Sequence, residues 1–311
     1  METVQKHYTI VRTPQDVEKL IDHINSHDLI AFDTEDTGLS VRKDSVIGFS
    51  LCGEIGDSFY LPFVEYSQEK SILEDLKIAN RSAREVGKKI LKLLQGKKLI
   101  MHNGDYDCRI VKHNLGIDLL PSLYCDTILL IHSVQEEGVG RGGAEVFGLK
   151  KVAIAIQDKI GLDVEKAANE EQIELKASIE RNGGSITRER YELYKADLDI
   201  IGKYAAADTD LTLRIYNYYL PKLKEEGLEK FFFEDEVMPV YKEVTIPMED
   251  HGVMVDIPLL EKTKKDILID MEKQKKVVID TLLKDEPGQR WVVDQALKTF
   301  PVSNKGTWAN A

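Results

Sequence analysis

Short apolar runs alternate with segments of helical period from His7 to Gly116, and that alternation most constrains what the chain can fold into. "HYTIV", "DLIAFDTED", "SVIGFSLCG", "SFYLPF" and "KKLIMHN" are too short for helices and rich in β-branched or aromatic residues, which predicts strands. Only Glu54-Ile55-Gly56-Asp57 separates the third from the fourth, as in a meander. "TPQDVEKLIDHINSH" reads as a helix with Thr13 as N-cap and Pro14 in the first turn. "SAREVGKKILKLLQG" is an amphipathic helix closed by Gly96, and "YDCRIVKHNLG" is another stopped by glycine. Strands and helices mixed in this order predict an α/β or α+β layer fold built on a mixed sheet. From "CDTILLIHSV" onward the pattern is almost entirely helical, with no internal repeat. Two stretches read as loops or insertions, residues 136–148 ("EEGVGRGGAEVFG") and about 163–190, centred on "RNGGS".

The second apolar run meets an unusual neighbour. Leu29 to Phe32 should be buried, yet Asp33, Thr34, Glu35 and Asp36 follow at once. Side chains alternate along a strand, so Asp33 and Glu35 share a face. Two carboxylates one pleat apart repel unless they are protonated or bridged by a cation. All-oxygen ligands suit Mg²⁺ or Mn²⁺; the plainer alternative is a solvated strand end running into the turn "TGLS". Asp107 in "HNGDYD" opens a helix after another strand, where the helix dipole favours an acid. Tyr204 and Asp208 in "YAAADTD" are four apart on one helix face, and the alanines between allow close approach to a sheet or substrate.

In order and context these three sites resemble the motifs of the DEDD-type 3′-5′ exonucleases. The pattern is Asp33-x-Glu35, then Asn103-x-x-Tyr106-Asp107, then Tyr204-x-x-x-Asp208. The last resembles the DEDDy branch; where the sister branch has histidine, this chain has Lys203. "FDTEDTGLS", "YDCRIV", "CDTILLIHSV", "GLKKVA" and "YAAADTDLTLRIY" resemble the proofreading domain of family A, polymerase I-like DNA polymerases, some of them phage-encoded. "PVYKEVTIPMEDHGVMVD" looks like the opening helices of the polymerase part.

The resemblance implies a ribonuclease H-like (DnaQ-like) domain over residues 1–226 and a helical extension over 227–311. It implies hydrolysis of a phosphodiester with two divalent ions, Mg²⁺ or Mn²⁺, roughly 4 Å apart. Asp33 would bridge them, Glu35 and Asp208 would complete the ion that activates water, and Asp107 would hold the other. Tyr204 would orient the attacking water, because a phenol with a reference pKa near 10 is a poor base. The implied substrate is a single-stranded or frayed DNA 3′ end, with Leu39 wedged between the last bases and Asn103 near the terminal nucleotide. Turn anchoring for Leu39 and strand capping for Asn103 are the ordinary alternatives. Asp36 and Asp105 read as extra, solvated acids without a catalytic role, and Asp126 as a helix cap.

Charge and composition set the surroundings. The formal net charge of −12 excludes a globally basic DNA-gripping surface, although bound divalent ions can supply positive charge locally. Three cysteines without a CxxC, and no h-region near the N-terminus, lead us to expect reduced thiols in the cytoplasm, a host's if phage-encoded. No apolar run is long enough for a membrane helix. "GVGRGG" lacks the preceding strand of a dinucleotide site and reads as a flexible loop; were it to touch substrate, Arg141 would be the phosphate contact. His23 and His27 read as a polar helix face rather than a zinc site, "KKILKLLQGKK" as a solvated face, and "FFF" at 231–233 as an interdomain anchor. No acidic palm motif of a polymerase is found, so a polymerase is expected as partner, either on the same chain or as a separate molecule. An RNase D-like exoribonuclease and a non-catalytic scaffold for a polymerase or primer end remain the competing readings.

Overall fold

The most apolar run becomes the centre of the sheet. In a computed structural model that describes residues 6–64, 81–135, 147–187 and 192–282, strand β2 (Leu29–Asp36) lies between β3 (Val46–Glu54) and β5 (Lys98–Met101). The six-stranded sheet is completed by β1 (His7–Ile10), β4 (Asp57–Pro62) and β6 (Leu123–Asp126), in the order β1-β4-β3-β2-β5-β6. The expected meander is present: β2, β3 and β4 run antiparallel. The pairs β1–β4, β2–β5 and β5–β6 are parallel and need crossovers. The sheet is therefore mixed and flanked by helices, as the ribonuclease H-like reading expects.

Local chemistry explains the helices. In α1 (Pro14–Ser26), Thr13 and Asp16 form a reciprocal capping box, with Thr13 Oγ1 accepting from the Asp16 amide at 3.2 Å. Helices α2 (Arg81–Leu94) and α3 (Gly104–Leu115) are followed by Gly96 and Gly116, both at positive φ. The latter caps α3 by donating to the Lys112 carbonyl. The strand β6 and helix α4 (Thr127–Val134) occupy "LYCDTILLIHSV", where the sequence reading placed only helix. Four residues leave no period to read, and the pairing with β5 decides their state.

The 163–190 segment is a second correction. Asp163 caps an 18-residue helix, α7 (Val164–Arg181), preceded by the shorter α5 (Leu149–Ala155) and α6 (Gln157–Ile160). Its buried stripe is thin, Val164, Ala168, Leu175 and Ile179, and the charges between hide it in a one-dimensional reading. The 28-residue helix α8 (Leu198–Glu225) crosses β1 to β4. Small residues allow this approach: a Cβ on Gly202 would meet Ile10 at 2.6 Å, and Ala205, Ala206 and Ala207 are buried. A buried polar knot fixes the helix along its axis. Asp210 accepts from the Tyr8 hydroxyl and the Gly56 amide, each at 2.9 Å, and from Arg214 Nε at 3.1 Å.

After α8 the chain does not leave this core. Two π-helical turns, Phe231–Asp235 and Tyr241–Thr245, alternate with short α-helices, Val237–Val240 and Ile246–His251. Phe232, Met238 and Ile246 are buried in the same cluster as the sheet, and Phe233 stacks on Tyr124 at 4.7 Å. "FFF", expected as an interdomain anchor, thus packs within the core of the sheet itself. One compact unit spans Met1–His251 and a second Gly252–Ala311. The described part of the second includes a 26-residue helix, Ile257–Leu282, whose apolar side chains such as Leu260 and Ile267 are exposed. Among the described residues no helix is long and apolar enough to cross a membrane.

Phe232→Ala empties a fully buried ring site. It should cost about 3–5 kcal/mol in denaturant unfolding followed by a probe of the sheet. An unchanged midpoint would show that residues 231–251 do not belong to this core.

Candidate active site

The strand β2 delivers Asp33 and Glu35 on one face, and α8 brings Asp208 across the sheet to meet them. One carboxylate oxygen from each lies within 4.8 Å of the others. Among the described residues this is the one group of such ligands close enough to share an ion. Glu35 and Asp208 are buried and Asp33 is half-buried. The geometry at β2 is guarded by packing. Glu35 pairs with Gly48 on β3, where an added Cβ would lie 2.4 Å from the Tyr60 hydroxyl.

Asp107 arrives from the first turn of α3 and is tied to the residue between the two strand acids. Its Oδ1 accepts from the Thr34 amide at 3.0 Å and from the Thr34 hydroxyl at 2.7 Å. That hydroxyl also lies 2.9 Å from Asp36 Oδ2. A hydroxyl has one proton, so both contacts are satisfied only when one of these carboxyls is itself protonated. The electrostatics agree. Burial, then the charge of Asp107, pushes Asp33 well above the usual carboxylate range; burial, then Asp208, does the same to Glu35. Burial raises Asp107 to about 7 against the opposing bonds from Thr34, and burial with the Asp107 charge raises Asp36 to about 8.

The counter-charge is Lys150 of α5. Its ammonium contacts Asp208 Oδ1, lies 3.6 Å from Glu171 Oε2, and sits 4.7 Å from the centroid of the Tyr204 ring. Burial opposes its charge, but Asp208 and Glu171 outweigh that and raise its pKa. One ammonium cannot neutralise Asp33, Glu35, Asp107 and Asp208 together. The shortfall, in an all-oxygen donor set, is what hard divalent cations fit. Lys150 was legible only as part of "GLKKVA"; it is 58 residues from Asp208, and no spacing rule reaches that far.

The remaining expected residues are placed as follows. Tyr204 shares the Asp208 face of α8 and is half-buried under Lys150. Leu39 stands 84% exposed on the turn after β2. Asn103 is exposed and holds φ 74°, ψ 46°, the one non-glycine at positive φ among the described residues, with no side-chain bond capping α3. A left-handed non-glycine at a helix start is strained. Asp126 caps α4 as expected, accepting from the Ile128 amide at 2.9 Å, and also accepts from the Gly104 amide at 2.7 Å. Asp36 and Asp105, expected to be solvated, are not. Asp36 is buried, and Asp105 is ion-paired with Arg109. His23 Nε2 accepts from the Gly53 amide at 2.8 Å and its Nδ1 lies 3.2 Å from Asp57, so the ring is structural. Cys52, Cys108 and Cys125 are free and buried. "GVGRGG" with Arg141 lies outside the described residues.

A family profile described as 3'-5' exonuclease, that of the family A DNA polymerases, matches residues 8–224. DNA polymerase I of Borreliella burgdorferi is 24% identical over 82% of this chain and 24% of its own length. The DNA polymerase DpoZ of Vibrio phage phiVC8 is 28% identical over 77% of this chain and 34% of its own. The chain therefore spans only about a quarter to a third of these curated relatives. Brucella melitensis NrnC, solved with bound Mg²⁺, superposes with a TM-score of 0.46 at 16% identity, covering 81% of this chain and 98% of that one. With most of its length matched, the chain belongs to the 3'-5' exonuclease family of the polymerase I-like, family A DNA polymerases.

Proposed function

We propose that this exonuclease removes nucleotides from the 3′ end of single-stranded or frayed DNA, releasing nucleoside monophosphates, and that it proofreads for a DNA polymerase on the same chain or a separate one. The observation that carries the reading is the convergence of Asp33, Glu35 and Asp208 within 4.8 Å, with Asp107 tied to the same strand. The curated relatives at 24% and 28% identity are named DNA polymerases, which supports DNA as substrate and a polymerase as partner. A cytoplasmic site of action follows from that partnership.

In this reading Asp33, Glu35 and Asp208 would hold one divalent ion, and Asp107 with Asp33 would hold a second. Bound Mg²⁺ or Mn²⁺ would supply an activated water and stabilise charge on the phosphate and leaving oxygens. The protein's own groups do the rest. Tyr204 orients the attacking water from the face of α8 that carries Asp208. Lys150, in contact with Asp208 and over the Tyr204 ring, holds both side chains and offsets part of the negative charge. Leu39, free on its turn, wedges between the last two bases, and Asn103 lies beside the terminal nucleotide. The strained backbone of Asn103 supports that second role.

The experiment is Mg²⁺- or Mn²⁺-dependent release from matched, 5′-labelled DNA and RNA oligonucleotides, with and without chelator. Shortening of DNA from the 3′ end is expected. Preferential cleavage of RNA would favour the exoribonuclease reading, and no metal-dependent release from either would favour a scaffold. Asp33→Ala should lower the rate by roughly 10²–10³-fold or more. It should also leave the metal-free fold intact or slightly more stable, because one of the mutually repelling acids is gone. Loss of folding in this variant would mean that Asp33 is structural.

The pH dependence gives an independent check. Asp107 at about 7 and Asp36 at about 8 exceed the ordinary value of roughly 3.9, so the folded protein holds more protons than the unfolded chain between those limits. Metal-free stability should therefore fall as pH rises through that window. His23 and His102, lowered by burial, act the other way up to about 6.5. The net fall is thus read from about pH 6.5 to 8. Divalent ions bind the deprotonated acids, so the gain in melting temperature on adding Mg²⁺ should grow from pH 5 to 8. Thermal melts in chelator and in Mg²⁺ across this range test both signs; metal-free stability that climbs from pH 6.5 to 8 contradicts the repulsion.

A further inference from the structure

The first turn of α3 serves three parts of the site at once. Asn103 begins it, Asp107 reaches Thr34 from it, and the Tyr106 hydroxyl donates at 2.7 Å to the Gly38 carbonyl, beside Leu39. A helix start leaves several amides without an intrahelical acceptor, and the Asn103 side chain makes no capping bond here. The missing acceptors come from elsewhere. Asp126 takes the Gly104 amide at 2.7 Å and the Asn103 amide at 3.3 Å. The Asp105 amide donates at 3.2 Å to the hydroxyl of Tyr241, which itself donates at 3.0 Å to Asp126 Oδ2. Tyr241 is 136 residues from Asp105 in sequence and lies beyond the family match, which ends at 224.

The same downstream segment grips the rest of α3. Arg109 pairs with Glu249 at 3.1 Å, Lys112 with Asp250 at 3.0 Å, and His113 contacts Asp250 as well. These outer pairs are partly exposed and each contributes little. Tyr241 differs because it is half-buried and bonded at the turn that carries the site residues.

We infer that Tyr241 is a positioning residue for the nuclease site: its hydroxyl caps α3 and fixes Asp126, and so holds Asp107 and Asn103 in place from beyond the residues that the family profile matches. The inference rests on the proposed metal-dependent hydrolysis, because it assigns Tyr241 an effect on how ions and the terminal nucleotide are held. Removal of an outer partner of a metal site costs affinity or activity while the ligands themselves stay in place.

Tyr241→Phe keeps the ring and removes the hydroxyl. The Mn²⁺ concentration for half-maximal hydrolysis of a labelled DNA oligonucleotide should rise about tenfold. Amide exchange over residues 104–107 should speed up. A Mn²⁺ titration followed by melting temperature should shift by the same factor, and this needs no turnover. Lys242→Met, which removes an Nζ that donates to the Pro121 carbonyl at 3.2 Å, is the control from the same segment. It should lower the melting temperature at most and leave the Mn²⁺ requirement alone. A lower melting temperature in Tyr241→Phe with an unchanged Mn²⁺ requirement by both readouts would make Tyr241 a structural contact and overturn the inference. If the wild-type chain hydrolyses nothing, the nuclease proposal fails, while the thermal Mn²⁺ titration still decides the role of Tyr241.

Discussion

Repulsion among buried carboxylates is the constraint around which this molecule is arranged. Asp33, Glu35 and Asp208 are brought together on the sheet, with Asp107 tied to the same strand, where burial leaves water little room to screen them. Such a site opposes folding unless protons, an ammonium or metal ions compensate. In the metal-free protein the compensation is partial. Protons are retained on groups that would ordinarily lose them, and Lys150 reaches in from α5. Buried charge without a partner is among the costliest features a core can hold.

The rest of the fold supplies the rigidity that this arrangement needs. Strand β2 is central and its Ile30, Ala31 and Phe32 are fully buried, so the acids that follow cannot retreat to solvent by sliding the strand. Helix α8 lies close because Gly202 and three alanines leave room, and the Tyr8–Asp210–Arg214 knot fixes it lengthwise. Thr34, between the two strand acids, uses its own amide and hydroxyl to hold Asp107. Asp107 and the helix that carries Asp208 are thus held by contacts outside the acid cluster. The segment 231–251 extends that scheme, since it packs Phe232 into the core and lays Tyr241 against the start of α3.

Much of this was legible beforehand, and the reasons differ by feature. Alternation placed Asp33 and Glu35 on one face, and a spacing of four placed Tyr204 and Asp208 on one helix face; both are local periodicities that tertiary packing preserves. The helix Val164–Arg181 was misread because its buried stripe is only a few residues wide among charges. Strand β6 was missed because four residues carry no period. Asp36 and Asp105 were read as solvated because acids usually are; each instead has a partner on its own element, Thr34 two residues before Asp36 and Arg109 four residues after Asp105.

The sequence by itself determined the strand and helix content near the site, the identity of the acids, and the family to which they belong. All of these are written in residue order and short-range period. The tertiary structure alone decided that Lys150 meets Asp208 across 58 residues, that Asp126 serves both α4 and the α3 turn, and that Tyr241 reaches that turn from beyond the nuclease motifs. Contacts between distant residues are set by how helices cross the sheet and by which small side chains permit it, and no local pattern encodes that geometry.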